Sequence, residues 1–369
     1  MSSGSIKNKR SVKYGITTPH DNSCTLEDIN KIQEYLECSK INFENRLKQK
    51  PMKESEIGDF IFHKTIGLGA FGRVMLVNHK SKPEQFLAMK IMKKEQILKR
   101  NYLQHVINEK QLLSNLRHPF IIQMEYCAKD ICNLYFVMPF IVGGDLFGLM
   151  SERGVLNELH AMFYAGQMVL ALQYLHSLDI IYRDLKPENV LIADDGFIKL
   201  TDLGLSKRII SNRTTTLCGT PYYLAPEIIA IKPYGKPVDW WALGIIMFEM
   251  VAGTVPFMAD TEKKLFFRIL SGRYKMPINF SSNLSHLIKN LLRVDLSKRY
   301  GNLVNGISDI KHHRWFIKID WIMLYNKKLV PPYIPTFTSP SDTHNFESFV
   351  EEAASIACNG VDQTYFADF

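Results

Sequence analysis

Residues 182–189 carry side chains suited to moving a phosphoryl group. Asp184 offers a carboxylate that can accept a hydroxyl proton, and Lys186 offers an ammonium that can neutralise a transferring phosphoryl group. The amide oxygen of Asn189 can hold a metal ion, and Asp202, thirteen residues later, adds a second metal-binding carboxylate. This order of groups predicts a phosphoryl-transfer site on one loop and the segment that follows it.

A glycine-rich run lies upstream of that loop. Gly67, Gly69 and Gly72 precede Val74, and glycines at this spacing let the backbone approach a phosphate closely. A dinucleotide-binding fold would need a helix to begin at the glycines, whereas a strand is predicted to follow them. The next predicted strand contains Lys90, whose ammonium is expected beside the phosphates.

The composition is that of a globular chain. Its 369 residues exceed the roughly 250–300 that one hydrophobic core supports, so two compact units with tails are expected. The net charge of +8 is carried by dispersed Lys and Arg residues rather than by one stripe, which argues against a nucleic-acid partner. The six cysteines form no CxxC pair, which argues against a disulfide framework and a zinc site.

The first residues show neither a secretion signal nor a lipid-anchor motif. They have no apolar core, and Ser2 occupies the position where myristoylation needs glycine. The most apolar stretch, 240–259, contains Glu249 and Pro256, so a buried helix is expected there instead of a membrane span. A reducing compartment follows from these features: the cytoplasm is expected, with the nucleus as a second location.

The periodicity of apolar residues divides the chain into four parts. An amphipathic helix is predicted over 25–47, within an extension that covers residues 1–59. Short alternating runs predict a small β-rich unit over 60–139, and a period of 3.6 residues predicts a larger helical unit over 140–316. A tail with several prolines, 317–369, follows. The fold class is therefore predicted to be α+β.

Within these units the pattern predicts short strands and longer helices. The predicted strands cover 66–72, 73–78, 86–92, 121–128 and 134–138. The predicted helices cover 103–116, 145–152, 158–177, 225–231, 238–253, 262–272 and 282–292.

Taken together, the motifs resemble those of eukaryotic Ser/Thr protein kinases from residue 60 to about 315. The resemblance is closer to the catalytic subunits of cyclic-AMP-dependent protein kinases, in the AGC group. The further stretches that carry it are 217–221, 224–227, 238–242, 300–306 and the terminal Phe-x-x-Phe. It implies a bilobal fold with a small N-lobe and a larger C-lobe, and transfer of the γ-phosphoryl of MgATP to Ser or Thr.

The resemblance also implies roles for individual residues. Lys90, paired with Glu109, would contact the α- and β-phosphates of ATP. Asp202 and Asn189 would hold two Mg²⁺ ions, while the 184–186 segment would accept the substrate proton and stabilise the moving phosphoryl group. The residues implied to bind ATP are Gly67, Gly69, Phe71, Gly72, Val74, Ala88, Lys90, Met138, Phe140, Ile141, Asp145, Leu191 and Phe346.

Three acids are implied to read basic protein substrates. In the family, the positions of Asp145, Glu188 and Glu249 bind arginines three and two residues before the phosphorylated Ser or Thr. Tyr222 stands where close relatives have an acid that contributes to reading an arginine farther upstream. The residues implied to form an apolar pocket for the next substrate residue are Leu217, Pro221 and Leu224.

Thr216 stands where the family carries an activating phosphate. Such a phosphate would add roughly −1.5 to −2 charge. Arg213, three residues earlier, would allow activation by another copy of the chain. The groups implied to pair with the phosphate are Arg183, Lys207 and His105.

A separate cyclic-nucleotide-binding regulatory subunit is the implied partner, and it would occlude the substrate groove with an arginine-rich pseudosubstrate. Two alternatives stay open. A pseudokinase scaffold is disfavoured because the catalytic residue types are all retained. A cyclic-GMP-dependent kinase carries its nucleotide-sensing domains in the same chain, and the segment before residue 60 is too short for one.

Overall fold

The computed structural model describes residues 26–49, 55–209, 213–351, 362–367 and 369. The predictions about Ser2 and the first residues lie outside the described residues. An N-terminal helix, α1 (Leu26–Leu47), agrees with the predicted helix 25–47 over the part described. Phe43 of α1 is buried against the main body, and the Lys40 ammonium lies 2.8 Å from Asp179 of the helical unit.

The β-rich unit is one five-stranded antiparallel sheet with strand order β1-β2-β3-β5-β4. The strands are β1 (Phe60–Gly69), β2 (Gly72–His79), β3 (Lys82–Lys93), β4 (Tyr126–Lys129) and β5 (Asn133–Pro139). Lys90 in β3 pairs with Val74 on one side and Phe136 on the other. The sheet therefore fixes the position of Lys90 relative to the turn that joins β1 and β2.

Two helices cross the edge of this sheet between β3 and β4. They are α2 (Lys94–Lys99), which the periodicity did not predict, and α3 (Leu103–Asn115). The buried residues of α3 include Val106, Glu109 and Leu113, which recur every three or four positions. Glu109 is therefore turned inward with the apolar face of its helix.

The helical unit begins with α4 (Leu146–Arg153) and α5 (Glu158–Ser177). Its other helices are α6 (Pro226–Ile229), α7 (Pro237–Ala252), α8 (Glu262–Ser271), α9 (Ser282–Leu291), α10 (Ser308–Lys311) and α11 (Trp321–Tyr325). Proline begins α7, Gly253 ends it at φ +74°, and nearly every residue between them is buried. Most of the apolar stretch 240–259 thus lies in the buried core helix α7. No helix among the described residues is long and apolar enough to cross a membrane.

Four short strands line the junction of the two units. They are β6 (Ile180–Ile181), β7 (Val190–Ile192), β8 (Ile198–Leu200) and β9 (Lys207–Arg208), paired as β6 with β9 and β7 with β8. The β7–β8 hairpin turns at Gly196, which has φ +79°. These strands hold residues 182–189 and 202–204 at the mouth of the cleft. The predicted α+β bilobal fold is confirmed.

Three local predictions were wrong. The predicted strand 121–128 is shortened to β4, and Ile121 forms only an isolated bridge to Leu200. The predicted helix 225–231 is a single turn, because Ile231 has φ +54°, outside the helical range. Cys132 is disulfide-bonded, although the cysteine spacing argued against a disulfide framework.

Candidate active site

Lys90 and two carboxylates form an ion triad that joins the sheet to α3 and to the segment after β8. The Lys90 ammonium lies 2.6 Å from Glu109 Oε1 and 3.4 Å from Asp202 Oδ1. Burial acts to lower the pKa of Lys90, but the two carboxylates outweigh it and raise that pKa above its ordinary value. Lys90 therefore stays a cation and ties α3 and the segment after β8 to the same point of β3.

Residues 182–189 bring the predicted catalytic groups together. Asp184 Oδ1 accepts a 2.8 Å hydrogen bond from the Thr220 hydroxyl, and Lys186 Nζ lies 3.1 Å from Asp184 Oδ2. Lys186 also donates to the Thr220 hydroxyl at 3.0 Å. The Asn189 amide nitrogen donates to Asp184 Oδ2 at 3.0 Å and to its carbonyl oxygen at 2.8 Å. The proposed base is thus oriented by a hydroxyl, an ammonium and an amide.

A buried carboxylate from α7 fixes this loop, and sequence reasoning missed it. Asp239 accepts hydrogen bonds from the backbone N–H groups of Tyr182 and Arg183 at 3.0 and 2.9 Å, and from His176 Nε2 at 2.7 Å. Arg183 has φ +69°, a costly conformation that these bonds stabilise. An acid within an apolar helix was the signal available in the sequence, because buried acids occur where partners need them.

The segment after β8 holds the second metal-type ligand. Asp202 accepts a 3.2 Å hydrogen bond from the backbone N–H of Gly204, and the nearby Lys90 ammonium lowers the pKa of its carboxyl. Leu203, where the family usually has Phe, is fully buried. It packs in the same core as Leu113 and Tyr182, so the apolar role of this position is kept.

The residues predicted to contact ATP come from both units and from the linker between them. Gly72 has no room for a side chain, because a Cβ there would lie 2.1 Å from the carbonyl oxygen of Ile91. Gly67 pairs with Val74 across the β1–β2 hairpin. On the facing side, Leu191 of β7 forms a bridge with Asp145. Ala88 and Met138 pair with each other across β3 and β5, at the end of the sheet next to the linker.

The tail reaches the linker that joins the units. The Phe346 ring lies 5.2 Å from the Phe140 ring, and Asn345 donates a 3.1 Å hydrogen bond to the carbonyl oxygen of Val142. Gly144, with φ +70°, permits this crossing, since a Cβ there would lie 2.9 Å from Asn345. Phe346 thus lies beside Phe140 of the linker.

Of the three predicted substrate-reading acids, Glu188 acts electrostatically on each of the other two. Burial raises the pKa of the Glu249 carboxyl, with the charge of Glu188 adding to the rise, and a 2.8 Å hydrogen bond from the Tyr223 hydroxyl opposes it. Burial likewise raises the pKa of Asp145, and Glu188 again adds. Mutual repulsion among carboxylates is relieved by a bound cation, so this group suits a guanidinium.

The predicted apolar pocket for the following substrate residue is only partly formed by buried side chains. Leu224 is 4% exposed, whereas Leu217 is 54% exposed and Pro221 is half-buried. Leu224 lines a small cavity of about 10 Å³ next to Asp184. Leu217 therefore presents apolar surface that a substrate would cover.

Thr216 lies exposed, close to the groups predicted to pair with its phosphate but not in contact with them. The Tyr234 hydroxyl donates to the Thr216 carbonyl oxygen at 2.6 Å, and Arg183 donates to the same hydroxyl at 3.3 Å. Lys207 donates to the Thr214 hydroxyl at 3.1 Å, which in turn lies 3.4 Å from the Thr216 hydroxyl. Tyr234 is a residue that sequence reasoning missed here.

His105, the third predicted phosphate partner, lies on α3. Its Nδ1 is 3.3 Å from the carbonyl oxygen of Gly204, and burial lowers the pKa of the ring. The structure thus brings His105 to the segment after β8 rather than to Thr216.

A buried ion pair between Glu227 and Arg299 holds α6, the helix that follows the Thr216 segment in the chain. Arg299 donates from Nη1 and Nη2 to the two Glu227 carboxylate oxygens at 2.6 and 2.9 Å, and both residues are buried. The guanidinium carbon lies 5.1 Å from the Trp241 ring centroid. This pair ties α6 to the loop after α9, and the resemblance motifs named Glu227 without its partner.

The donor set near the cleft suits Mg²⁺. Asp202 is ionised, and the amide nitrogen of Asn189 is committed to Asp184, which leaves the Asn189 amide oxygen as its remaining polar atom. Carboxylate and amide oxygens are the ligand types that Mg²⁺ takes, usually with substrate phosphates. Among the described residues no cluster of three or more His, Cys, Asp or Glu forms an all-protein metal site.

Comparisons with known proteins agree with this geometry. Residues 60–316 match the family described as "Protein kinase domain". A human protein named cAMP-dependent protein kinase catalytic subunit PRKX is 44% identical over 293 residues, which cover 79% of this chain and 81% of that protein. A Drosophila melanogaster protein named cAMP-dependent protein kinase catalytic subunit 2 is 44% identical over 307 residues, 83% of this chain and 86% of that protein.

A Saccharomyces cerevisiae relative extends this agreement. It is named cAMP-dependent protein kinase type 3 and is 42% identical over 309 residues, 83% of this chain and 77% of that protein. The chain belongs to the protein kinase family, as a Ser/Thr kinase of the AGC group that is similar to the catalytic subunits of cAMP-dependent protein kinases.

Proposed function

We propose that the protein transfers the γ-phosphoryl group of MgATP to Ser or Thr hydroxyls that follow arginines at minus three and minus two. The observation that carries the substrate class is the coupled acidic group of Asp145, Glu188 and Glu249. Burial, with the negative charge of Glu188, raises the pKa values of Asp145 and Glu249, so a guanidinium that neutralises these acids gains charge-assisted hydrogen bonds.

We infer a step for each catalytic side chain. The Asp184 carboxylate accepts the proton of the attacking hydroxyl as that oxygen bonds to the γ-phosphorus of ATP, while the bond from this phosphorus to the β-phosphate oxygen breaks and ADP leaves. Lys186, 3.1 Å from that carboxylate, neutralises charge on the phosphoryl group. Lys90, kept cationic by Glu109, positions the α- and β-phosphates. Two Mg²⁺ ions held by Asp202 and Asn189 would neutralise the phosphate charge when bound.

Phosphorylation of Thr216 is proposed as the activating modification. The exposed hydroxyl lies two hydrogen bonds from the Lys207 ammonium, through Thr214, and near the Arg183–Tyr234 pair. A phosphate there would recruit Arg183 and Lys207 directly.

A cyclic-nucleotide-binding regulatory subunit is the proposed partner, supported by relatives named as cAMP-dependent catalytic subunits. Its arginine-rich pseudosubstrate would occupy the same acidic group. We expect weak or lineage-restricted inhibition, because Thr215, Thr254, Met258 and Phe266 stand where close relatives often have larger or more polar docking residues. The proposed location is cytoplasmic, with the nucleus as a second site.

One assay tests the activity and a second tests the partner. Purified protein is incubated with MgATP and a Ser peptide carrying arginines at minus three and minus two, and phosphopeptide is quantified in single-turnover and steady-state modes. Absence of transfer by the Thr216-phosphorylated protein would mean a pseudokinase scaffold. Affinity capture with and without cyclic AMP should yield a partner that cyclic AMP releases; failure to recover one contradicts the regulatory assignment alone.

A further inference from the structure

Three aromatic rings form a column between the glycine-rich turn and α3. The ring of Phe71, in the turn between β1 and β2, stacks on Tyr102 with centroids 4.5 Å apart and an interplanar angle of 29°. Tyr102 stacks in turn on His105 at 4.4 Å and 10°. The Arg100 guanidinium carbon lies 5.3 Å from the Phe71 centroid. Side-chain contact therefore joins the tip of the glycine-rich turn to the start of α3.

The same tyrosine contacts the segment that carries the metal-type carboxylate. Its hydroxyl donates a 3.1 Å hydrogen bond to the carbonyl oxygen of Gly204. A Cβ at Gly204 would lie 3.1 Å from Asp202 Oδ1, 3.2 Å from Glu109 Oε2 and 3.3 Å from the Tyr102 hydroxyl. A Cβ there would be closer to all three groups than Cβ contacts usually are, so Tyr102 packs closely against the site in which Lys90 meets its two carboxylates.

The backbone of Tyr102 adds a third attachment. Tyr102 is the N-cap residue of α3, the helix that carries Glu109.

Burial raises the pKa of the Tyr102 phenol to about 12, with the carboxylates of Glu109 and Asp202 adding to the rise. The hydroxyl is therefore protonated, and able to donate, throughout the physiological pH range.

We propose that Tyr102 is a positioning residue that couples the glycine-rich turn to α3 and to the Asp202–Gly204 segment, and so holds Phe71 and its neighbours in place for nucleotide binding. The inference rests on the proposed assignment of Gly67, Gly69 and Gly72 to the ATP phosphates. A glycine-rich turn has large backbone freedom, and ordering it on binding costs affinity. A stacked ring at its tip restricts that freedom before the nucleotide arrives.

A double-mutant cycle measures this coupling. Wild type, Tyr102→Leu, Phe71→Leu and the double variant are compared by the KM for MgATP at saturating peptide. They are also compared by hydrogen exchange of the backbone amides of residues 67–74 without nucleotide. Each single variant should raise the KM about fivefold and speed exchange in 67–74. The double variant should differ little from either single variant, because both changes remove the same contact.

Tyr102→Phe is the matched control. It keeps the stack on Phe71 and His105 but loses the hydrogen bond to Gly204. Its KM for MgATP should stay within about twofold of wild type, with exchange in 67–74 unchanged, while exchange in 202–206 speeds up. Thermal unfolding of every variant separates a local effect from loss of the fold.

Two results would overturn the proposal: single-variant effects on the KM and on exchange that multiply in the double variant, or a Tyr102→Leu protein that matches wild type in both. The exchange measurement needs no nucleotide. It therefore tests the coupling even if the wild-type protein transferred no phosphoryl group, a result that would instead contradict the proposed function.

Discussion

The Thr220 hydroxyl donates a 2.8 Å hydrogen bond to Asp184 Oδ1. Thr220 immediately precedes Pro221, one of the residues predicted to contact the substrate, so the proposed base and the substrate-binding segment are joined by one hydrogen bond. The bond therefore ties the orientation of the Asp184 carboxylate to the position of the segment that begins at Thr220.

The role of Asp184 is tested by Asp184→Asn. The amide keeps the shape of the side chain but cannot accept the hydroxyl proton, so kcat should fall about 10²–10⁴-fold. The Kd for MgATP should be nearly unchanged, because Asp184 is not among the residues predicted to bind ATP; its hydrogen-bond and ion-pair partners are Thr220, Lys186 and Asn189. Turnover equal to that of wild type would remove Asp184 from the base role.

The buried pair of Arg299 and Glu227 should make a large contribution to stability. Arg299→Ala leaves the Glu227 carboxylate buried without its partner, and we expect a loss of about 3–5 kcal/mol in the free energy of unfolding, measured by urea denaturation. Lys298→Ala is the matched control: it removes the neighbouring, exposed ion pair with Asp295 and should change the free energy by less than about 1 kcal/mol. Equal losses in both variants would contradict the role of burial.

Activation is tested at Thr216. The wild-type protein incubated with MgATP should gain phosphate on Thr216, detected by mass spectrometry, and its kcat should rise as it does so. Thr216→Ala should keep the low kcat of the unphosphorylated protein. Arg213→Ala should slow the modification about tenfold, because Arg213 supplies the arginine at minus three, while the kcat of protein already phosphorylated should be unaffected. Modification at an equal rate in that variant would exclude activation by another copy.

Much of the fold followed from local patterns, and the exceptions have physical causes. Helix α7 was predicted almost to the residue, since Pro237 and Gly253 begin and end it. The strand expected at 121–128 failed because residues before 126 pair mainly outside the sheet, as Ile122 does when its N–H donates to Leu200. Periodicity reports burial and cannot say which partner satisfies the backbone.

Part of the candidate site could likewise be predicted from the sequence, and part could not. Residues such as Asp184 and Asn189 lie on one loop, so their proximity was readable from adjacent positions. Asp239 lies fifty-five residues after Asp184 and reaches that loop only through the packing of α7 against α5. The column of Phe71, Tyr102 and His105 likewise could not be predicted from the sequence, because stacking depends on ring positions that residue spacing does not give.

Substrate specificity gives the last prediction. A guanidinium held by a half-buried carboxylate contributes ~1.5–3 kcal/mol, so replacing arginine at minus three or minus two by alanine should lower kcat/KM about tenfold or more. Arginine at minus six should matter little, because Tyr222 offers at most a neutral hydrogen bond. A positional peptide library without basic preference at minus three or minus two would contradict the proposal.

Glu249→Gln sharpens this test and adds a pH dependence. The variant should lose the preference for arginine at minus two and keep that at minus three, while Tyr223→Phe, which removes only the hydrogen bond to Glu249, should keep both.

Burial raises the pKa of Glu249, so as the pH falls this carboxylate is neutralised at a higher pH than an exposed carboxylate would be. In wild type the arginine-to-alanine ratio of kcat/KM at minus two should therefore shrink with falling pH. In Glu249→Gln that ratio should stay near one at every pH, and a ratio that still varied would assign the minus-two arginine to a different acid.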